Sequence, residues 1–196
     1  YTLIDWFIDD NKESLDENFS NLLKEILFDV EKMDFLIKGI LDYSTIDKLE
    51  SEDRLVDFNL VVDEVLQIVS IPDHIKFTVQ KNLPSLYGNA WRFKQVFLNL
   101  IENAIKYSDK EEGIIEVGVT DKNKYFEFFV KDNGIGIHPD YFDQIFKVFT
   151  KLESTSSSSG IGLSIVKKII KFYKGSIWIE SEEGKGTTFY FTILKQ

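Results

Sequence analysis

Asn99 and Asn103 stand four residues apart with Lys106 one turn further on, so a helix through them presents two amide oxygens and an ammonium along one side. Such a surface suits a magnesium ion whose other ligands are phosphate oxygens and water, because Mg²⁺ takes few ligands from protein when a nucleotide completes its octahedron. The same residues also read as solvated side chains on an ordinary helix. Further along, Asp132-Asn133-Gly134-Ile135-Gly136-Ile137 offers a carboxylate that can accept from an amine, and two glycines that admit backbone close to a flat ligand. A plain hairpin turn has a similar composition. Gly160-Ile161-Gly162-Leu163 precedes an amphipathic run with Ile165, Val166, Ile169 and Ile170, where the free N–H groups of a helix N-terminus can meet phosphate. Gly184-Lys185-Gly186-Thr187 taken alone is a turn. No G-x-x-x-x-G-K-[ST] occurs and no G-x-G-x-x-G opens a helix, which excludes the two commonest glycine-rich phosphate motifs.

These residues need elements to hold them. The spacing predicts a helix over 89–107 capped by Asn89, then two alternating segments, 114–120 and 125–131, joined as a hairpin through Asp121–Lys124. A strand near 55–58, a helix over 59–69 and a strand over 75–80 come before. After the first glycine loop follow a helix over 139–146, a Ser-rich loop over 153–159, a helix over 162–173, and strands over 176–181 and 187–194. Upstream, Leu15, Phe19, Leu22, Ile26, Val30, Met33, Ile37 and Ile40 step by three or four, which predicts one amphipathic helix over 14–49, about 50 Å long. Residues 1–10 read as the end of an antiparallel partner helix.

Composition narrows the chemistry. The 196 residues carry 23 Lys+Arg against 33 Asp+Glu, a net charge of −10, which argues against nucleic acid or any other polyanion bound over a wide surface. A phosphate site must therefore be local. With no cysteine there are no disulfides, thiolate metal sites or Cys nucleophiles, and two isolated histidines do not make a metal centre. No run of purely apolar residues exceeds three, so no transmembrane helix and no membrane contact are expected, and a reducing, cytoplasmic setting fits.

In order along the chain, Asn99-x-x-x-Asn103, Asp132-x-Gly134-x-Gly136, Gly160-x-Gly162-Leu163 and Gly184-x-Gly186-Thr187 resemble the N box and glycine boxes of the sensor histidine kinase ATP-binding domain. Asn99-Leu-Ile-Glu-Asn103-Ala-Ile-Lys-Tyr107-Ser108 is similar to that family's N box almost throughout. Phe142, Phe146 and Phe149 lie where the family has a phenylalanine-rich segment, and Met33–Ser44 is similar to the second helix of its dimerisation hairpin.

The resemblance implies an α+β fold, a two-layer α/β sandwich with a mixed sheet and helices on one face, over 55–196. A truncated dimerisation hairpin over 1–50 would precede it. It further implies ATP and Mg²⁺ as ligands. Asp132 would accept from the adenine amino group, with Gly134, Gly136 and Ile137 giving backbone access, Thr187 supporting that end through water and Tyr107 packing on the ring. Asn99 and Asn103 would hold magnesium, Asn103 foremost; Lys106 would meet phosphate, and Gly160, Gly162 and Leu163 would bring a mobile lid onto the triphosphate. Lys147 and Lys151 border that lid and could add charge there. The implied activity is transfer of the γ-phosphate to a histidine on a dimerisation helix, then to an aspartate of a response-regulator receiver domain, by a homodimer. That acceptor histidine would lie upstream of Tyr1, since His74 and His138 sit at a strand start and in a loop.

Two relatives of the same fold class give alternatives. A gyrase-like or MutL-like ATPase would need a Glu at the first N-box position, which here is Asn99 and cannot act as a base. A nucleotide-binding pseudokinase would be expected to have lost some of the glycine and Asn positions.

Overall fold

The computed structural model describes residues 53–148, 150 and 160–195, together with the six positions 23, 26, 30, 37, 41 and 44. Those six are all helical, in keeping with the long amphipathic helix, while the rest of that helix and the expected partner segment 1–10 lie outside the described residues. From Arg54 the order is β1 (Arg54–Asp57), α1 (Phe58–Ile68), β2 (Ile75–Val79), β3 (Ser85–Gly88), α2 (Ala90–Lys106), β4 (Gly113–Asp121), β5 (Tyr125–Asp132), a 3₁₀ turn (Pro139–Tyr141), α3 (Gly162–Phe172), β6 (Ile177–Glu182) and β7 (Gly186–Leu194).

Five strands form one sheet in the order β2-β4-β5-β7-β6. β2 runs parallel to β4 because the crossover through β3 and α2 joins them, and the other neighbours are antiparallel, so the sheet is mixed. β1 and β3 pair antiparallel in a separate two-stranded ribbon. Alternation decides which face meets the helices. On β5, Phe128, Val130 and Asp132 are buried, and on β7 Thr187, Phe189, Phe191 and Ile193 are. The opposite face carries Phe129, Tyr190 and Trp178, the last two stacked at 5.4 Å.

The three helices close over the inner face around phenylalanine rings. Phe128 stacks on Phe58 at 4.8 Å and on Phe191 at 5.1 Å, and Phe97 of α2 meets Phe128 and Phe191 edge-on. The start of α2 is fixed twice. The Asn89 side chain accepts from Arg92 N–H at 3.2 Å, the expected N-cap, while Asn89 N–H donates to the Tyr173 hydroxyl at 2.9 Å, tying the start of α2 to the end of α3.

Two local expectations change and one strand is added. Ser85–Gly88, between Pro84 and Asn89, forms strand β3, because pairing with β1 supplies what four residues cannot supply alone. The helix expected over 139–146 is a 3₁₀ turn over Pro139–Tyr141 followed by further turns, bonded largely from i to i+3 (Tyr141 N to His138 O, Phe142 N to Pro139 O, Gln144 N to Tyr141 O). That tighter winding stacks Phe142 and Ile145 on the core-facing side. The β4–β5 connection shortens to residues 122–124 as β4 extends through Asp121, with Lys122 N–H donating to Tyr125 O at 3.0 Å.

Candidate nucleotide-binding site

Asp132 ends β5 with its side chain on the buried face, and its Oδ1 accepts from Gly134 N–H at 2.9 Å and from Thr187 N–H at 3.1 Å. Nothing among the described residues donates to Oδ2. Burial pushes this carboxyl above the ordinary aspartate range, and the two backbone N–H donors, which favour the charged form, offset only part of that. A buried carboxylate with one oxygen anchored by its own backbone and the other left as an acceptor is suited to an amine on a flat, apolar-edged ligand.

The glycines around it permit close backbone crossings. A Cβ at Gly134 would lie 2.2 Å from the carbonyl oxygen of Tyr107, which accepts from Ile135 N–H at 3.1 Å, so the glycine loop lies directly on the end of α2. Gly186 has φ +112°, and a Cβ there would lie 2.1 Å from Asp132 O. Gly136 (φ +72°) crosses the β6–β7 turn in the same way, against Glu182 O. Gly134→Ala is therefore expected to push the loop off α2, costing on the order of 1–3 kcal/mol of stability by overpacking. Thermal unfolding together with a nucleotide titration checks this, with both expected to fall.

Ser181, which no sequence pattern singled out, joins three of these segments. Its Oγ accepts from Ile137 N–H at 2.8 Å, lies 2.9 Å from Gly186 O and is 2.8 Å from the Thr187 hydroxyl. Ser181 and Thr187 are directly opposed on β6 and β7, so the signal lies in strand register rather than in sequence. Asn133 is a second such anchor, accepting from Ile114 N–H at 2.7 Å and donating to Glu112 O at 3.0 Å, which fixes the loop to the start of β4.

On α2, Phe93, Val96, Phe97, Leu100, Ile101 and Ala104 face the core and leave Asn99 and Asn103 half-buried on its flank. Asn99 Nδ2 donates to Gln95 O at 2.8 Å, which turns Oδ1 outward; a Cβ at Gly162 would lie 2.4 Å from it. The first N-box asparagine thus touches the start of α3. The Asn103 carboxamide makes no hydrogen bond among the described residues. Two amide oxygens, one oriented and one uncommitted, fit a hard cation that completes its shell with phosphate and water, and no group of three or more His, Cys, Asp or Glu among the described residues offers another metal centre.

Lys106 is exposed and its ammonium rests 4.9 Å over the ring of Tyr107, the C-cap of α2. The structure thus places Asn103, Lys106, Tyr107, Asp132, Gly134, Gly136, Ile137, Gly162, Leu163 and Thr187 at or beside the ends of α2, β5, α3 and β7, with Asn99 at the middle of α2 against Gly162. Gly160 has φ +68°; the expected lid ahead of it, with Lys151, and Phe149 fall outside the described residues. His74 and His138 are both exposed, His138 directly following Ile137 and capping the 3₁₀ turn by accepting from Asp140 N–H at 3.3 Å.

Comparison with known proteins agrees with this geometry. The family described as Histidine kinase-, DNA gyrase B-, and HSP90-like ATPase matches residues 88–196. The methanogenesis regulatory histidine kinase FilI of Methanothrix harundinacea is 38% identical over 168 residues, covering 84% of this chain and 19% of that protein. Cyanobacterial phytochrome B of Nostoc sp. is 34% identical over 195 residues, covering 96% of this chain and 26% of its relative. The chain thus spans about a quarter or less of the length of these relatives. Among solved structures, the histidine kinase ThkA in complex with the response regulator TrrA superposes with a TM-score of 0.70 at 26% identity, over 100% of this chain and 57% of that one. By fold, by the order of its glycine and asparagine boxes and by this match across more than half its length, the chain belongs to the histidine kinase-, gyrase B- and HSP90-like ATPase family.

Proposed function

We propose that this chain is the catalytic part of a two-component sensor histidine kinase, which binds Mg-ATP and passes its γ-phosphate to a histidine on a dimerisation helix. The observation that carries the reading is Asp132, held by Gly134 and Thr187 through one oxygen with the other left to accept, at the foot of a helix bearing Asn99 and Asn103. Asp132 Oδ2 takes the adenine amino group, and Tyr107 covers the ring. Ser181 and Thr187 fix the backbone that borders it. Asn103, with Asn99, would hold magnesium, which when bound neutralises phosphate charge. Lys106, released from the Tyr107 ring, meets a phosphate oxygen, and the Gly162 end of α3 turns its N–H groups toward the same tail. Little covalent chemistry is asked of these side chains, because phosphoryl transfer is promoted mainly by positioning and charge compensation. Asn99 stands where an ATP-hydrolysing relative needs a base, and its amide is already bonded to Gln95 O, so water activation is not favoured.

In this reading residues 1–50 form part of a dimerisation hairpin and residues 55–196 the catalytic domain. Ile26, Val30, Ile37 and Leu41 are 44–58% exposed and spaced along one helical face, an apolar stripe that a second copy would cover in a four-helix bundle. A response-regulator receiver domain is the expected downstream partner, as TrrA is for ThkA. Among the described residues no helix is long and apolar enough to cross a membrane. Calorimetric titration with ATP tests the binding half of the reading: micromolar-class affinity with magnesium, weakened by chelation, is expected, whereas no heat of binding under either condition would refute it.

A further inference from the structure

A single proton decides the polarity of the sheet end beside Asp132. The register that opposes Lys131 to Thr188 and Ser181 to Thr187 sets Asp132, Thr187 and Ser181 in one row across β5, β7 and β6, on the face that meets the helices. Ser181 is the hub of this row. Its Oγ accepts from Ile137 N–H at 2.8 Å, lies 2.9 Å from the carbonyl oxygen of Gly186 and is 2.8 Å from the Thr187 hydroxyl.

A serine hydroxyl has one proton and two lone pairs, so these three contacts can all be hydrogen bonds in only one way. Ile137 N–H takes one lone pair. Gly186 O can only accept, and so receives the Ser181 proton. One lone pair then remains on Ser181, and the Thr187 hydroxyl must donate into it. Thr187 is 5% exposed and its hydroxyl has no other partner among the described residues, so only its lone pairs are left to face a ligand. Asp132 is already in that condition, with Oδ1 accepting from Gly134 and Thr187 N–H and Oδ2 carrying nothing but lone pairs. On adjacent strands, where paired side chains stand about 5 Å apart, two groups thus present acceptors and no donor.

We propose that Ser181 is a positioning residue for base selection: by holding the Thr187 proton it makes the row an acceptor surface, which takes a purine with an amine at position six and rejects one with a carbonyl there. The idea deepens the nucleotide reading above and rests on it. An amine brings two N–H donors, one for Asp132 Oδ2 and one for Thr187 Oγ1, directly or through one water. A carbonyl oxygen brings only lone pairs to the same acceptors and leaves buried polar groups unpaired, the arrangement by which a site discriminates most strongly. Without the Ser181 hydroxyl, Thr187 is free to turn its proton toward the ligand. Rejection of the carbonyl then weakens.

The test is calorimetric titration of the whole 196-residue chain with Mg-ATP and with Mg-inosine triphosphate. Their triphosphate tails are identical, so what magnesium, Lys106 and the start of α3 contribute cancels in the ratio of the two dissociation constants. Ser181→Ala should lower the preference for ATP about tenfold, apart from any loss common to both nucleotides when Ile137 N–H loses its acceptor. Ser181→Thr, which keeps a hydroxyl, should retain the wild-type preference. Ser181→Cys keeps the volume with a weak donor and acceptor, and gives the same reading as alanine if the alanine variant does not fold. In Thr187→Val, where no hydroxyl is left to orient, adding Ser181→Ala should leave the ratio unchanged. Equal losses for both nucleotides in Ser181→Ala would make Ser181 a loop anchor alone and overturn the proposal while leaving the nucleotide reading in place. So would a tenfold change of ratio that persists in the Thr187→Val background. A wild-type chain that binds neither nucleotide removes the nucleotide reading itself, and the proposal with it.

Discussion

Asp132→Asn weakens adenine-nucleotide binding by about 1–3 kcal/mol, roughly 5- to 150-fold in Kd, without unfolding the domain. The asparagine oxygen still accepts from Gly134 and Thr187 N–H, but the uncommitted carboxylate oxygen becomes an NH₂ that faces the adenine amine donor to donor. Stability moves the other way. Burial holds the Asp132 carboxyl above its ordinary range, so between the unfolded value and that raised value the folded state keeps a proton that the unfolded chain has lost. The unliganded wild type therefore loses stability as pH rises through this window, and the ionised carboxylate remains a cost above it. Asp132→Asn removes that slope, and at neutral pH its melting temperature should equal or exceed that of the wild type. Nucleotide affinity of the wild type should conversely decline as pH is lowered through the raised value. Calorimetry and thermal melts across pH check all three; unchanged affinity in Asp132→Asn would remove this residue from the site.

Asn103→Ala should lower phosphoryl transfer by about 10²-fold or more, the scale seen when a group that stabilises transition-state charge is removed. Its melting temperature should stay close to that of the wild type, within the roughly 0.5 kcal/mol usual for surface substitutions. Asn103 is half-buried on the flank of α2 and bonds to nothing else described, whereas its neighbours Leu100, Ile101 and Ala104 carry the packing of that helix. A variant that keeps full transfer while melting lower would make Asn103 a packing residue instead. Single-turnover transfer measured beside Mg-ATP affinity separates a failure of binding from a failure of the chemical step.

The residues of this site were readable because each belongs to a local pattern. The four-residue spacing of Asn99 and Asn103 needs only helical periodicity, and Asn89 as N-cap needs only its place before an apolar repeat. The paired glycines announce tight crossings, though not what they cross. That Gly134 abuts Tyr107 O and Gly186 abuts Asp132 O depends on chain segments 27 and 54 residues apart. Ser181 was illegible for the same reason, since its role exists only in the β6–β7 register and in its reach to Ile137. β3 depends on β1 for its pairing. Over 139–146 a helical apolar spacing was present, but Pro139 and the need to bring both Phe142 and Ile145 inward favour the tighter 3₁₀ winding.

The most direct test of the central claim is transfer of phosphate from radiolabelled Mg-ATP, with this chain alone and with a separately supplied dimerisation hairpin that carries a histidine. His74 and His138 are held at a strand start and at the cap of the 3₁₀ turn, where neither is carried on a docking helix, so the chain alone should remain unlabelled. With the hairpin present, label should appear on the hairpin as an acid-labile, base-stable phosphate. Self-labelling lost on His138→Ala, or a hairpin that stays unlabelled while Mg-ATP is bound, would contradict the account.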